Sequence, residues 1–199
     1  MTPEAAKLCT DIENAFGSVP YPGDDDIVDG CDWERVETRE ILKGKHWRDL
    51  PLEDLSGWLR DVIPLLSPAG FHFYLPAYMT ISLVDYDRAD IIPDLIINAL
   101  TLDLFSDYDE SQRKFEQFAE THPEDAKFTP EEWRQINEPM RDMCRTGTAQ
   151  RRFDARVSRF TQEQAKVIRR FIEYLRDTYA DDYTDDAPQK ALDRYWNRF

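Results

Sequence analysis

Hydrophobic residues recur every three or four positions along most of this 199-residue chain, the spacing that places them on one face of a helix. Leu8, Ile12 and Phe16 are a clear example. The pattern predicts helices over residues 4–16, 33–42 and 90–105, and others that begin at Pro51, Pro68, Thr129, Thr161 and Pro188. Because no alternating apolar and polar run typical of a strand occurs, the predicted fold class is all-α, an irregular bundle of about seven to nine helices around one core.

One predicted helix is apolar on nearly every side. It follows Pro68 and contains the sequence GFHFYLPAYMTISLV. A helix without a polar face is usually the central one of a bundle, and the proline at position 76 should kink it or split it into two. The residues expected in or beside the core are Phe71, Tyr74, Leu75 and Tyr78.

Other helices carry signals for their starts and their inner faces. Thr129 with Glu132, and Thr161 with Gln164, have the spacing of a capping box. The predicted inner faces comprise Trp33, Val36 and Ile41, then Leu55, Trp58 and Leu59, and later Trp133, Ile136, Met140 and Met143.

Some stretches lack this periodicity. Residues 17–32 and 144–160 are predicted to be long loops or an arm of a single helical domain that spans residues 1–199. A short strand or a helix start are alternatives for residues 148–160. Within residues 106–128, Phe115 and Phe118 suggest a short helix.

The charge of the chain is unevenly distributed. Residues 1–110 hold 23 acidic and 8 basic residues, whereas residues 111–199 hold 17 of each, so the net charge of −15 belongs to the first part. Residues 145–176 are locally basic, with nine basic and three acidic residues. This balance argues against nucleic acid and membrane as partners. Two interpretations stay open: attraction of a basic protein partner, or a role of the charge in solubility alone. The acidic and basic parts are predicted to face each other, unless Arg151 and Arg152 stay free for an anionic ligand.

Sequence motifs for catalysis and metal binding are missing. His46, His72 and His122 have no second histidine or cysteine at metal-ligand spacing, and no GxSxG or phosphate-binding glycine loop occurs. The three cysteines do not form a CxxC pair. We therefore predict no catalytic residue, no metal and no cofactor. The candidate binding residues are Asp24, Asp25 and Asp26, whose oxygens suit a cation, together with Tyr74, Tyr78, Arg151 and Arg152.

Several stretches resemble an uncharacterised bacterial family, a domain of unknown function. They are AFGSVPYPGDDDIV at residues 15–28, LLSPAGFHFYLPAYM at 65–79, FTQEQAKVIRRFIEYL at 160–175 and ALDRYW at 191–196. The resemblance implies a helical fold in a bacterial cytoplasm, and it implies no activity. A cytoplasmic location is also what the sequence favours, since it shows neither a signal peptide nor an apolar run long enough to span a membrane.

Two hypotheses of function follow. The first is a non-enzymatic acidic protein-binding module, of the kind found among bacterial inhibitor or immunity proteins. It rests on the one-sided acidity, the 13% aromatic content and the missing motifs. The alternative is an enzyme with a dispersed carboxylate-based site, in which a metal ion is one option. The oligomeric state is left open.

Overall fold

The computed structural model describes residues 1–199 and is all-helical, which confirms the predicted fold class. Nine of its eleven α-helices have eight or more residues, and the one β-bridge, between Val28 and Leu66, is isolated. The helices are α1 (Pro3–Phe16), α2 (Trp33–Leu42), α3 (Leu52–Ser56), α4 (Pro68–Val84), α5 (Tyr86–Ala89), α6 (Ile92–Ala99), α7 (Phe105–Thr121), α8 (Pro130–Arg145), α9 (Thr148–Val157), α10 (Gln162–Thr178) and α11 (Ala187–Arg194). None of them is both long and apolar enough to cross a membrane.

The chain forms two compact units. The first comprises residues 1–101 and 155–199, and the second comprises residues 102–154. The single domain over residues 1–199 stays a prediction. Residues 17–32 contain only a short 3-10 turn at Asp24–Asp26, whereas most of the stretch predicted as a loop or arm at 144–160 is the helix α9. The short helix expected around Phe115 is the full-length α7.

Helix α4 forms the centre of the first unit. Ser67 caps its first turn by accepting a hydrogen bond from the Gly70 N–H, and Pro68 occupies the first helical position. The helix runs through Pro76 without being split. Phe71, Tyr74, Leu75 and Tyr78 are each 0% exposed, which confirms their predicted place in the core.

Two tyrosine hydroxyls tie α4 to the segments around it. The Tyr74 hydroxyl lies 2.9 Å from the Leu42 carbonyl oxygen and 3.0 Å from that of Lys45, at the end of α2. The Tyr78 hydroxyl donates to the Leu59 carbonyl oxygen at 3.0 Å. The Leu42 carbonyl also accepts from the Lys45 N–H at 3.0 Å, so the Tyr74 hydroxyl is its second donor, and both tyrosine hydroxyls have backbone partners in the core.

Both predicted capping boxes are present, and one of them also joins three helices. Thr161 and Gln164 exchange hydrogen bonds at the start of α10, as Thr129 and Glu132 do at the start of α8. The Gln164 side chain also contacts His72 Nε2 of α4 at 3.0 Å and donates to the Ala15 carbonyl of α1 at 3.0 Å. Gln164 is therefore a buried polar crosslink as well as a cap. Burial lowers the pKa of the half-buried His72.

Two of the predicted inner-face tryptophans are in fact exposed. Trp33 is 75% exposed, because α2 turns Thr38 and Leu42 inward instead. Trp58 is 69% exposed, because α3 ends at Ser56 and the backbone of Gly57, with a ψ of −118°, is not helical. The predicted continuation of this helix past residue 57 was wrong.

The second unit also buries less than the pattern predicts. Helix α8 packs along α7 and has no fully buried residue. Trp133 stacks on Phe115 with ring centroids 4.7 Å apart, but Ile136 is 53% and Met140 is 44% exposed. A helix covered on one side by a single neighbour leaves part of a wide apolar stripe in solvent.

The burial of Phe71 predicts a large effect of truncation. Phe71→Ala should lower the free energy of unfolding by about 3–5 kcal/mol, because it removes a fully buried ring and leaves a cavity. Urea unfolding measures this loss. Trp33→Ala is the control, and it should change stability by less than about 0.5 kcal/mol. Equal stabilities of the two variants would contradict the described core.

Gly70 provides a second test of the packing. Alanine is favoured over glycine inside a helix by about 1 kcal/mol. A Cβ at position 70, however, would lie far inside van der Waals contact of the Ile27 carbonyl oxygen. Gly70→Ala should therefore destabilise the fold by roughly 1–3 kcal/mol, as overpacking does. A melting temperature equal to or above that of the parent would show that α4 and residue 27 are not in close contact.

Candidate protein-binding surface

The Asp24 side chain and the Asp26 backbone in the first loop have structural partners. Asp24 accepts a hydrogen bond from the Tyr21 hydroxyl at 2.6 Å, and the Lys43 ammonium lies 3.9 Å from its other oxygen. The Asp26 carbonyl accepts from the Ser67 hydroxyl, while the side chains of Asp25 and Asp26 are exposed. No group of three or more histidine, cysteine or acidic side chains in the protein is arranged to hold a metal ion. Through this hydrogen bond to Ser67, the loop contacts the start of α4.

The predicted binding residues do not form one site. Asp24 and Tyr74 come together through Tyr21, whose hydroxyl also accepts from the Gly44 N–H at 2.9 Å. Tyr74 and Tyr78 are buried anchors with no surface for a partner, and burial raises the pKa of both phenols. The arrangement here holds the loop onto the core.

Arg151 and Arg152 are exposed on α9 and contact neutral groups. Arg151 donates to the Thr146 carbonyl at 3.1 Å and to the Thr148 hydroxyl at 2.8 Å, and Arg152 lies 3.5 Å from the Met143 sulfur. In the first unit, Arg170 of the basic segment pairs with Asp11 at 2.7 Å. This ion pair is one contact of the predicted kind between acidic and basic parts.

Another part of the first unit combines one exposed tryptophan, partly buried tyrosines and exposed aspartates. The segment carrying Trp58 lies beside α5 and is fixed there by two ion pairs, Arg60 with Asp90 at 2.9 Å and Arg88 with Glu53 at 3.3 Å. Residues 85–94 hold four acidic residues and one basic residue. We call this region the α5 surface; it comprises Trp58, Tyr86, Asp94, Tyr179, Asp182 and Tyr183.

Stacked tyrosines form the centre of the α5 surface. The rings of Tyr86 and Tyr179 are parallel within 2° and their centroids lie 3.5 Å apart, and Tyr174 meets Tyr179 edge-on at 6.2 Å. Tyr183 is only 8% exposed, and its buried hydroxyl interacts with the side chain of Tyr86. Burial raises the pKa of Tyr183, and this contact with Tyr86 adds to the rise.

Two carboxylates act on this stack. Burial raises the pKa of Asp94, and the nearby Asp182 carboxylate adds to the rise. Burial also raises the pKa of Tyr86 to about 12, and Asp182 and Asp94 contribute. Both pKa shifts arise mainly from burial, and the neighbouring carboxylates add to them. A surface of this kind attracts cations, through the carboxylates and through the electron-rich ring faces.

Sequence reasoning missed this surface. Tyr86 and Tyr179 are far apart in the chain, and only the packing of α5 beside the end of α10 brings them together. The residues at 181–186 have the composition of a solvated acidic turn. The available signal was the repeated pairing of aspartate with tyrosine at positions 85–87 and 182–183.

Comparison with known proteins gives one match. The model of a family described as a family of unknown function (DUF6714) matches residues 4–126. No curated protein matches the chain. No solved structure matches it either. The matched residues include the sequence patterns at 15–28 and 65–79, and they exclude those at 160–175 and 191–196.

The crowding of negative charge predicts a stabilising substitution. The Asp94 pKa is raised in the folded chain, so its carboxylate disfavours folding once the pH exceeds the ordinary aspartate value of 3.8. Asp94→Asn should therefore be more stable than the parent at pH 7, and the difference should vanish below pH 3.8. Urea unfolding at several pH values measures this. Asp181→Asn, the same change at an exposed aspartate next to Asp182, is the control. A parent as stable as Asp94→Asn at pH 7 would contradict the raised pKa of Asp94.

Proposed function

We propose that this chain, which belongs to DUF6714, a family of unknown function, is a non-enzymatic protein-binding module that binds a basic protein partner. Its mode of action would be that of an inhibitor or immunity protein in the cytoplasm of a bacterium. The observation that carries the proposal is Trp58, a tryptophan 69% exposed on the segment whose Arg60 pairs with Asp90.

Protein interfaces commonly contain a tryptophan that is exposed before binding and lies on a rigid segment. Tryptophan is enriched among the residues that contribute most binding free energy, because it buries a large area at a small cost in side-chain entropy. The ion pairs of Arg60 and Arg88 hold the Trp58 segment against α5, so little ordering is needed on binding. The α5 surface therefore has the features of a preorganised interface.

Charge supports a basic partner. The first unit carries 27 acidic and 17 basic residues, and its excess of acidic residues lies in residues 1–101. A negative surface of this density attracts a positive partner from a distance and increases the association rate, an effect that falls with added salt. The acidity of the chain then has a role in recognition as well as in solubility.

Trp58→Ala tests the proposal. Full-length protein carrying a photo-crosslinker near Trp58 would capture the partner from the native bacterium, and calorimetry with the purified partner would give the affinity. Trp58→Ala should weaken binding by about 2 kcal/mol, roughly thirtyfold, without changing the melting temperature. The partner should be basic, and its association rate should fall as salt is added.

Trp33→Ala is the matched control, since Trp33 is equally exposed but lies on α2, outside the α5 surface. It should bind the partner with the affinity of the parent. The proposal fails if no captured protein depends on Trp58, or if both tryptophan variants bind the partner equally well.

A further inference from the structure

We propose that a second copy of this chain covers the exposed apolar face of helices α7 and α8, so that two such helix pairs form a four-helix bundle. We call it the α7–α8 face; its residues are Tyr108, Ser111, Phe115, Phe118, Trp133, Ile136, Met140 and Met143. The inference goes beyond the proposed function and does not depend on it, because this face belongs to the second unit and Trp58 belongs to the first.

The α7–α8 face consists of one row of residues on each helix. The row on α7 stands at positions 108, 111, 115 and 118, and the row on α8 at positions 133, 136, 140 and 143. Both rows have the spacing i, i+3, i+7, i+10. This is the spacing of the a and d positions, through which the helices of coiled coils and four-helix bundles contact one another. Seven of the eight residues are apolar or aromatic.

Contacts between α7 and α8 place both rows on the same side of the helix pair. Phe115 of one row stacks on Trp133 of the other, with ring centroids 4.7 Å apart. The ion pair of Asp109 with Arg141, at 2.7 Å, also joins the two helices. Its residues lie roughly 110° around each helix from the rows, since each residue turns the helix by about 100°. The helix pair therefore has a charged side and an apolar side.

One copy of the chain leaves the apolar side uncovered. The one buried side chain of α7 and α8 is that of Gln112, which is polar. Ile136 is 53%, Met140 is 44% and Phe118 is 41% exposed. Helices in proteins owe most of their stability to burial of an apolar face, and a large exposed apolar patch marks an interaction surface. The α7–α8 face thus lacks the cover that its residue pattern is suited to.

Charge favours a second copy over a basic partner on this face. None of its residues is charged, in a chain of which 33% of the residues are charged. The carboxylates that border it bind helix starts, since Asp107 accepts from the Leu104 N–H at 2.9 Å and Glu132 from the Thr129 N–H at 2.7 Å. A basic protein finds no complementary charge here. Two copies, by contrast, can meet here without like-charge contacts although each carries a net charge of −15.

The area of the face suits a dimer of moderate stability. Helices α7 and α8 have 17 and 16 residues, so their lengths match along the whole face. Each helix is about 25 Å long, and two neighbouring helices form a surface roughly 20 Å wide. Pairing two such faces buries about 1,000 Å² in total, the lower bound for a specific interface. The dimer should therefore form at micromolar concentrations.

Sedimentation velocity of the full-length protein tests the inference. The parent should be a dimer at about 200 µM and should dissociate on dilution, with a dissociation constant on the order of 10 µM. Ile136→Glu places a charge in the middle of the face and should be a monomer at the same concentration. It should keep the circular dichroism spectrum of the parent, because Ile136 is exposed in one copy. A monomeric parent, or a folded Ile136→Glu that still dimerises, would overturn the inference.

Two further variants locate the interface. Trp33→Glu is the matched control, since it introduces the same charge at an exposed tryptophan outside the second unit, and it should dimerise as the parent does. Met140→Gln keeps the length and helix propensity of the side chain and should weaken dimerisation about tenfold. It tests the same face even where Ile136→Glu does not fold. Loss of the dimer in Trp33→Glu, or a dimer unaffected by Met140→Gln, would show that the α7–α8 face is not the interface.

Discussion

Helix α4 has no polar face, and this constraint shapes the first unit. A helix that is apolar all round is stable only when other elements cover every side of it. Helices α1, α5 and α6 pack against it, and the end of α2 and the segment after α3 are held by tyrosine hydroxyls that project from α4 itself. The core is thus organised by one segment of 17 residues, and the shorter helices have their positions because they cover it.

The α5 surface is built on the end of this core helix. Asp85 is both the last residue flanking α4 and the cap of α5, since its N–H donates to the Ile81 carbonyl at 2.9 Å and its side chain accepts from the Arg88 N–H. The start of α5 is therefore tied to the end of the core helix. Recognition sites work best when supported by rigid elements, and Tyr86 satisfies this condition because it directly follows Asp85.

The sequence predicted the features that depend on local residue spacing. It did not predict the features that depend on packing between segments far apart in the chain. The central helix, the capping boxes at Thr129 and Thr161 and the all-helical class follow from periodicity and short-range hydrogen bonds. The prediction that Trp58 faces inward was wrong because the helix ends before Gly57. The spacing of hydrophobic residues does not show where a helix ends. The stack of Tyr86 on Tyr179 joins two helices far apart in sequence, so no local pattern could reveal it.

Residues near position 196 complete the hydrophobic core that is formed mainly by the first half of the chain. The Trp196 indole N–H donates to the Leu100 carbonyl at 2.8 Å, at the end of α6, and Trp196 is completely buried. The family match, however, ends at residue 126. A boundary at residue 126 would cut through the second unit, residues 102–154, and would remove residues 155–199 from the first unit, and with them the indole that closes its core. In this protein the bounds of the family match and the bounds of the compact units are different.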